Sequence, residues 1–90
     1  MNKKYIYVLT ITYSFDDDYY AKKFDTYEEA IKYMNQVLQE ERATVIIEND
    51  YEPSIIRYSV DNVVFIYEED IEEDYYTEDR AYYRIFEVEI

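Results

Sequence analysis

A chain of ninety residues has the length of one domain. Compactness scaling gives it a radius of gyration of about 12 Å and a body roughly 30 Å across. The chain has no cysteine and no histidine, which excludes disulfides, thiolate and imidazole metal ligands and the usual near-neutral general base. Its 22 acidic and 9 basic residues give a net charge of −13, yet 49% hydrophobic residues indicate a folded chain. We expect one acidic domain with no cofactor, no bound metal and no enzyme activity.

Residues 5–24 predict a β-hairpin. Residues 5–15 alternate between the two faces of a strand and are rich in β-branched and aromatic side chains. Asp16, Asp17 and Asp18 are predicted to form the turn, because a chain without glycine needs Asn and Asp in its turns. Residues 19–24 then return as a second strand. The opening segment is too short and too polar for a spanning helix, so we expect a cytoplasmic protein.

An amphipathic helix is predicted from Thr26 to about Arg42. Thr26 and Glu29 match a capping box, in which the Thr26 hydroxyl accepts from the Glu29 backbone N–H. Apolar residues then recur at helical spacing and form the face expected to pack on the sheet, which comprises Tyr27, Ala30, Ile31, Met34, Val37 and Leu38.

The remainder of the chain is predicted to be β structure. Strands are expected at residues 44–48, 54–60, 63–67 and 82–90, with turns at 49–53 and 61–62. Residues 68–79 hold eight acids and are predicted to form a loop. The order β-β-α-β-β-β-β indicates an α+β fold, a single mainly antiparallel sheet with the helix on one face. The other face is expected to be rich in tyrosine, because that ring tolerates a half-wet position.

Two acidic clusters, each beside a tyrosine pair, are the candidate partner-binding residues. Acidic surfaces attract basic partners, and arginine planes stack on tyrosine rings. A solvated loop and ordinary sheet packing are the structural alternatives. The first cluster comprises Asp16, Asp17, Asp18, Tyr19 and Tyr20, and the second comprises Glu68, Glu69, Asp70, Glu72, Glu73, Asp74, Tyr75, Tyr76, Glu78 and Asp79.

Carboxylates in such clusters can stand in for nucleic-acid phosphates. A duplex carries one charge per roughly 1.7 Å of axis, so about 30 Å of duplex carries about 18 charges, of the same order as the net 13 here. Alternate residues on a strand lie about 6.6 Å apart, comparable with the step between phosphates. The sequence therefore favours an inhibitor that mimics nucleic acid and binds a basic nucleic-acid-binding protein, without binding nucleic acid or a membrane itself.

Three other interpretations stay open. A structural or regulatory module, or a homodimer, would use the tyrosine-rich sheet face with Tyr5, Tyr7 and Tyr13 and keep its acids for solubility. Carboxylates are suitable Ca²⁺ ligands, but the chain lacks the glycine of the EF-hand pattern. A glycosidase would need two carboxylates in a cleft, and no feature of the sequence predicts such a pair.

In size, charge and tyrosine content, with acid runs at residues 16–18 and 68–79, the chain resembles the small acidic inhibitors encoded by phages and mobile elements. That class includes anti-CRISPR proteins and DNA mimics that block restriction or repair enzymes. The resemblance implies inhibition in the host-cell cytoplasm, either by occupying the nucleic-acid or PAM-binding surface of an effector or by locking its conformation, without chemistry. In Cas9-type effectors those surfaces are rich in Arg and Lys.

Overall fold

One antiparallel sheet with a single helix on one face makes up the part of the chain that the computed structural model describes, residues 3–50, 52–72 and 75–90. For residue 49 and for residues 68–72 and 75–78 the description covers the backbone alone. The elements in chain order are β1 (Tyr5–Tyr13), β2 (Asp16–Phe24), α1 (Tyr27–Asn49), β3 (Ser54–Ser59), β4 (Asn62–Glu72) and β5 (Tyr75–Glu89). The predicted α+β class, with one antiparallel sheet and one packed helix, is confirmed.

The strands lie side by side in the order β2-β1-β5-β4-β3, and each neighbouring pair is antiparallel. The middle strand is β5, in which Ile85 pairs with Leu9 of β1 and Tyr83 pairs with Val63 of β4. Helix α1 packs across β1, β2 and β5. The core between the sheet and the helix consists of Leu9, Ile11, Ala30, Met34, Leu38, Val45, Val63, Phe65, Ala81, Tyr83 and Ile85.

Helix α1 begins as predicted but continues to Asn49. Thr26 is its N-cap, and the Thr26 hydroxyl accepts from the backbone N–H of Glu29 at 3.2 Å. The predicted strand at residues 44–48 is wrong, so the predicted element order has one strand too many. The apolar stripe of the helix continues through Val45, which is 5% exposed, and its burial outweighs the β preference of these β-branched residues.

The turns show how a chain without glycine reverses direction. Asp50 ends the helix with φ 51° and ψ 40°, and its N–H donates to the carbonyl of Ile46 at 3.0 Å. Aspartate tolerates this left-handed conformation better than most residues. The hairpin turns at residues 14–15 and 60–61 contain no positive φ, and the register of each hairpin shifts beside its turn. Such irregularities relieve the splay that a tight turn without positive φ imposes on two strands.

The predicted turn at residues 16–18 is therefore displaced. The chain reverses at residues 14–15, and the three aspartates lie at the start of β2. Thr12 pairs with Tyr19, whereas Tyr13 pairs with the first aspartate, so the other two form the irregularity in register. The turn expected at residues 61–62 likewise lies one residue earlier.

The predicted acidic loop at residues 68–79 is also wrong for the described backbone. Glu68 pairs with Asp79 and Glu72 pairs with Tyr75, so the two strands continue as an antiparallel ribbon beyond the end of β1. Backbone pairing does not depend on the polarity of the side chains. With the ribbon and a 23-residue helix, the body measures 60 × 25 × 22 Å, longer than the roughly 30 Å that compactness scaling predicts.

The helix covers a different sheet face from the one expected. Leu9 and Ile11 lie beneath α1, while Thr10 and Thr12 lie on the uncovered side. Covering Leu9 and Ile11 removes more apolar surface from water than covering two threonines. The prediction that a tyrosine-rich face is left open is therefore wrong for the strand residues named for it, Tyr5, Tyr7 and Tyr13, which share the face of Leu9.

The variant Val45→Ala tests the extension of the helix. It should lower the free energy of unfolding by about 1.5–2.5 kcal/mol, because two methyl groups worth about 0.8 kcal/mol each leave the core and a cavity remains. The matched control is Ile47→Ala, whose side chain is 81% exposed and whose loss should cost less than about 0.5 kcal/mol. Urea denaturation measures both. In a strand, the two side chains would share a face, so equal losses would contradict the helix.

Candidate partner-binding site

Both predicted acidic clusters begin at the same end of the sheet. The Ser14 N–H donates to the carbonyl of Arg80 at 2.9 Å, and the Ser14 hydroxyl accepts from the Arg80 N–H at 2.9 Å. These bonds hold the β1–β2 turn beside β5 where the ribbon leaves the body. Asp16 and Asp79 are two strands apart at this level, and neighbouring strands are about 4.8 Å apart. The first cluster therefore lies at the base of the second.

The C-terminal half of α1 points to the same end. At the start of the helix, the ring of Tyr27 packs edge-on against Tyr7 at 5.7 Å between centroids. Further along, burial raises the pKa of Tyr13, and the nearby negative charge of Glu41 raises it further. The helix and β1 thus run in the same direction, and the helix continues past the end of β1, since the eight residues after Glu41 add about 12 Å.

Negative charge is concentrated at the end of the molecule from which the ribbon extends, which we call the acidic end. It holds fourteen of the twenty acidic residues whose backbone is described, but two of the nine basic ones, Arg42 and Arg80. Six acidic and seven basic residues are left for the rest of the described chain, which is close to neutral. The fourteen are Asp16, Asp17, Asp18, Glu40, Glu41, Glu48, Asp50, Glu52, Glu68, Glu69, Asp70, Glu72, Glu78 and Asp79.

The first cluster is shaped by a bond within it. The backbone N–H of Asp18 donates to the Asp16 carboxylate at 3.1 Å, an Asx-type bond that bends the start of β2. All three aspartates are exposed. Asp16 therefore has a structural role, and Asp17 and Asp18 present carboxylates to solvent.

The tyrosine pair of the first cluster is divided between the two faces of β2. Tyr19 is 74% exposed and lies opposite Thr12 on the side away from the helix. The Tyr20 hydroxyl forms a 3.0 Å hydrogen bond with the Tyr33 hydroxyl of α1, so Tyr20 connects the edge strand β2 to the helix. Of the pair, Tyr19 is the better placed to contact a partner.

The second cluster is described by its backbone, apart from Glu73 and Asp74, which lie outside the described residues. The ribbon carries Glu68, Glu69, Asp70 and Glu72 on β4 and Tyr75, Tyr76, Glu78 and Asp79 on β5. Its strands pair directly, Glu69 with Glu78 and Asp70 with Thr77. The ribbon thus carries a dense run of acids away from the body.

Acidic residues of the helix end were missed by the sequence prediction. Glu48 and Asp50 reach the acidic end because α1 continues past residue 42, and Glu52 follows in an ion pair with Arg42. Glu41 lies within the predicted helix but was not among the predicted site residues. The available signal was the seven-residue spacing from Leu38 to Val45, which keeps the apolar stripe in helical phase.

An aromatic cluster supports the acidic end on the helix side. Phe15 of the β1–β2 turn packs on Tyr13 at 5.4 Å and on Tyr67 at 5.9 Å between ring centroids. Tyr67 in turn packs on Phe65 at 4.5 Å. Burial raises the pKa of the Tyr67 and Tyr83 hydroxyls, so both stay protonated beside the acidic surface.

The fold and the site define a small α+β protein with one strongly acidic end. The chain matches no family model, no curated protein and no solved structure. No helix among the described residues is long and apolar enough to cross a membrane. In the same part of the chain, no three His, Cys, Asp or Glu residues are grouped so as to hold a metal ion.

Stability should fall as the pH rises above about 10, the unfolded-state pKa of tyrosine. Because burial raises the folded-state pKa of Tyr67 and Tyr83, their contribution is complete below that pH and is lost as the pH rises through the folded-state values. Tyrosinate absorbance should increase in two stages, the second together with loss of far-ultraviolet circular dichroism. The double variant Tyr67→Phe, Tyr83→Phe should reduce the second stage, and complete ionisation with the fold intact would contradict this account.

Proposed function

We propose that the protein is a non-catalytic inhibitor that binds a basic nucleic-acid-handling protein and presents its acidic end in place of nucleic acid. The observation that carries this proposal is the collection of fourteen acids at one end of a body that is otherwise close to neutral. The partner class comprises CRISPR effectors, restriction enzymes and repair enzymes, whose nucleic-acid grooves are lined with Arg and Lys.

Local charge density supports the proposal better than net charge does. A duplex as long as the 60 Å body carries about 35 charges, so the net −13 spread over the whole length would be sparse. The ribbon is different. Residues 68–72 span about 17 Å, and with their paired residues 78–79 they carry six acids, one per about 3 Å. That spacing lies between about 3.4 Å for one nucleic-acid strand and about 1.7 Å for a duplex.

The acidic end is unfavourable for folding, which is a second argument for a binding role. The C-terminus of a helix carries partial negative charge and is stabilised by basic residues. The last turn of α1 has no basic residue, and Glu48 lies within it. Like charges gathered at this position destabilise the compact state. A charge distribution that opposes stability is typical of a functional surface.

Replacing five carboxylates of the acidic end by amides tests the proposal. The variant carries Asp17→Asn, Asp18→Asn, Glu69→Gln, Asp70→Asn and Glu72→Gln. The immobilised protein should capture basic proteins from a bacterial extract, and duplex DNA at constant ionic strength should elute them, because DNA competes for the same groove. The dissociation constant of an eluted partner, measured by calorimetry, should rise steeply with salt and at least about tenfold in the variant.

The matched control also removes five negative charges, but from the rest of the body. It carries Asp25→Asn, Glu28→Gln, Glu29→Gln, Glu87→Gln and Glu89→Gln, and it should retain wild-type binding. Equal losses in the two variants, a flat salt response, or partners that DNA does not elute would each refute the proposed function.

A further inference from the structure

The sheet face opposite α1 is apolar, and no other described helix or strand packs over it, although Val64 and Ile66 of β4 are buried on this face. Its central residues come from β1, β3 and β5, and they pair across the strands as Val8 with Phe86 and Ile6 with Val88. Ile56, Tyr82, Phe86 and Val88 are between 37% and 42% exposed, large fractions for apolar side chains on the broad face of a sheet. We call this surface the open face, comprising Ile6, Val8, Ile56, Tyr82, Phe86 and Val88.

We infer that the open face is a self-association surface on which a second copy of this chain packs. Contiguous apolar surface of this kind marks an interaction site in soluble proteins. Two sheets packed face to face, about 10 Å apart, would bury the exposed parts of these side chains as an inner layer. This inference does not depend on the proposed function of the acidic end.

Charge on this side of the sheet favours a second copy. Among the paired residues of the sheet body, which ends where Ile66 pairs with Arg80, this side includes Lys23, Arg80 and Arg84 and no acid, although 22 of the 90 residues in the chain are acidic. The acidic register positions on the same side, Glu69 and Glu78, lie on the ribbon beyond that body. Two chains that each carry −13 can therefore meet here without bringing carboxylates together. The Arg84 guanidinium lies 4.8 Å above the centre of the Phe86 ring. A guanidinium stacked on an aromatic ring is readily accommodated in a protein interface.

The size of the surface is sufficient for a stable dimer. The whole side of the sheet that carries the open face covers about 600 Å² per copy, at about 3.3 Å per residue and about 4.8 Å between strands. This area counts nine residues each of β1, β2 and β5 (residues 81–89), with β3 and residues 62–66 of β4. A pair would bury about 1,200 Å², which reaches the lower limit of stable specific interfaces.

The acidic ends determine the relative orientation of the copies. A twofold axis for face-to-face packing lies in the interface plane. An axis along the strands would place the two acidic ends side by side, whereas an axis across the strands places them at opposite ends of the dimer. Repulsion between the acidic ends selects the second arrangement, with the strands of the two sheets antiparallel.

Sedimentation equilibrium of the full chain tests self-association. As the chain concentration is raised toward about 1 mM, the average mass of the wild type should reach twice the 11.2 kDa chain mass. Phe86→Lys should raise the dimer dissociation constant at least about 30-fold, because an interface anchor is replaced by a charge. Val88→Ser is a second, neutral variant with the same expected direction, and circular dichroism verifies that each variant is folded.

The matched control is Ile47→Lys, the same kind of substitution at an apolar side chain that is 81% exposed on the helix. It should leave association unchanged. Added salt should leave the dimer unchanged or strengthen it, because its contact is apolar and the acidic ends are screened. Binding through the acidic end weakens with salt, so the two proposals fail independently. A chain that sediments as a monomer throughout, or equal dissociation by Phe86→Lys and Ile47→Lys, would overturn the inference.

The orientation has a separate measurement, since a chain without cysteine accepts one unique label. A spin label on Glu72→Cys should give an interlabel distance of about 65 Å in the antiparallel dimer. A distance below about 20 Å would show the parallel arrangement and overturn the assigned orientation.

Discussion

Two-sided pairing of the long strand β5 is the interaction on which the rest of the structure depends. Residues 81–89 pair with β1, and residues 75–84 pair with β4, so the two partner strands overlap only at residues 81–84, which include Ala81 and Tyr83. Those two residues are almost fully buried beneath the helix. Beyond the overlap, β5 has β4 as its neighbour on one side alone, and this stagger produces the ribbon. The core and the acidic end are therefore consequences of one strand arrangement.

The lack of glycine has effects beyond the turns themselves. Without positive φ at the hairpin turns, the strands depend on shifts of register beside each turn. In β2 that shift exposes Asp17 and Asp18 at the sheet edge. The aspartates at this position therefore serve the chain reversal of a protein without glycine and also contribute negative charge to the acidic end. Charged residues on an edge strand also oppose the addition of further strands, which leaves the broad faces as the surfaces for association.

The acidic end and the open face are physically independent surfaces. One consists of carboxylates at an end of the long axis, and its interactions are screened by salt. The other consists of apolar side chains on a broad side of the sheet, and its interactions are insensitive to salt or strengthened by it. In a dimer with antiparallel sheets, the acidic ends lie far apart and each stays accessible. Such a dimer would present two acidic ends, which increases apparent affinity for a partner with repeated basic sites.

The sequence is sufficient to predict the class of fold, the helix start at Thr26, the helix stripe from Tyr27 to Leu38 and the first strand, because these depend on local periodicity and capping. It did not determine the end of the helix, where the β-branched residues after Thr44 favour a strand locally but Val45 is buried on the sheet. Nor did it determine which face of β1 is covered, since both faces alternate equally well. These points, and the placement of the distant acids at one end, depend on strand order and stagger, which are set by contacts between residues far apart in the chain.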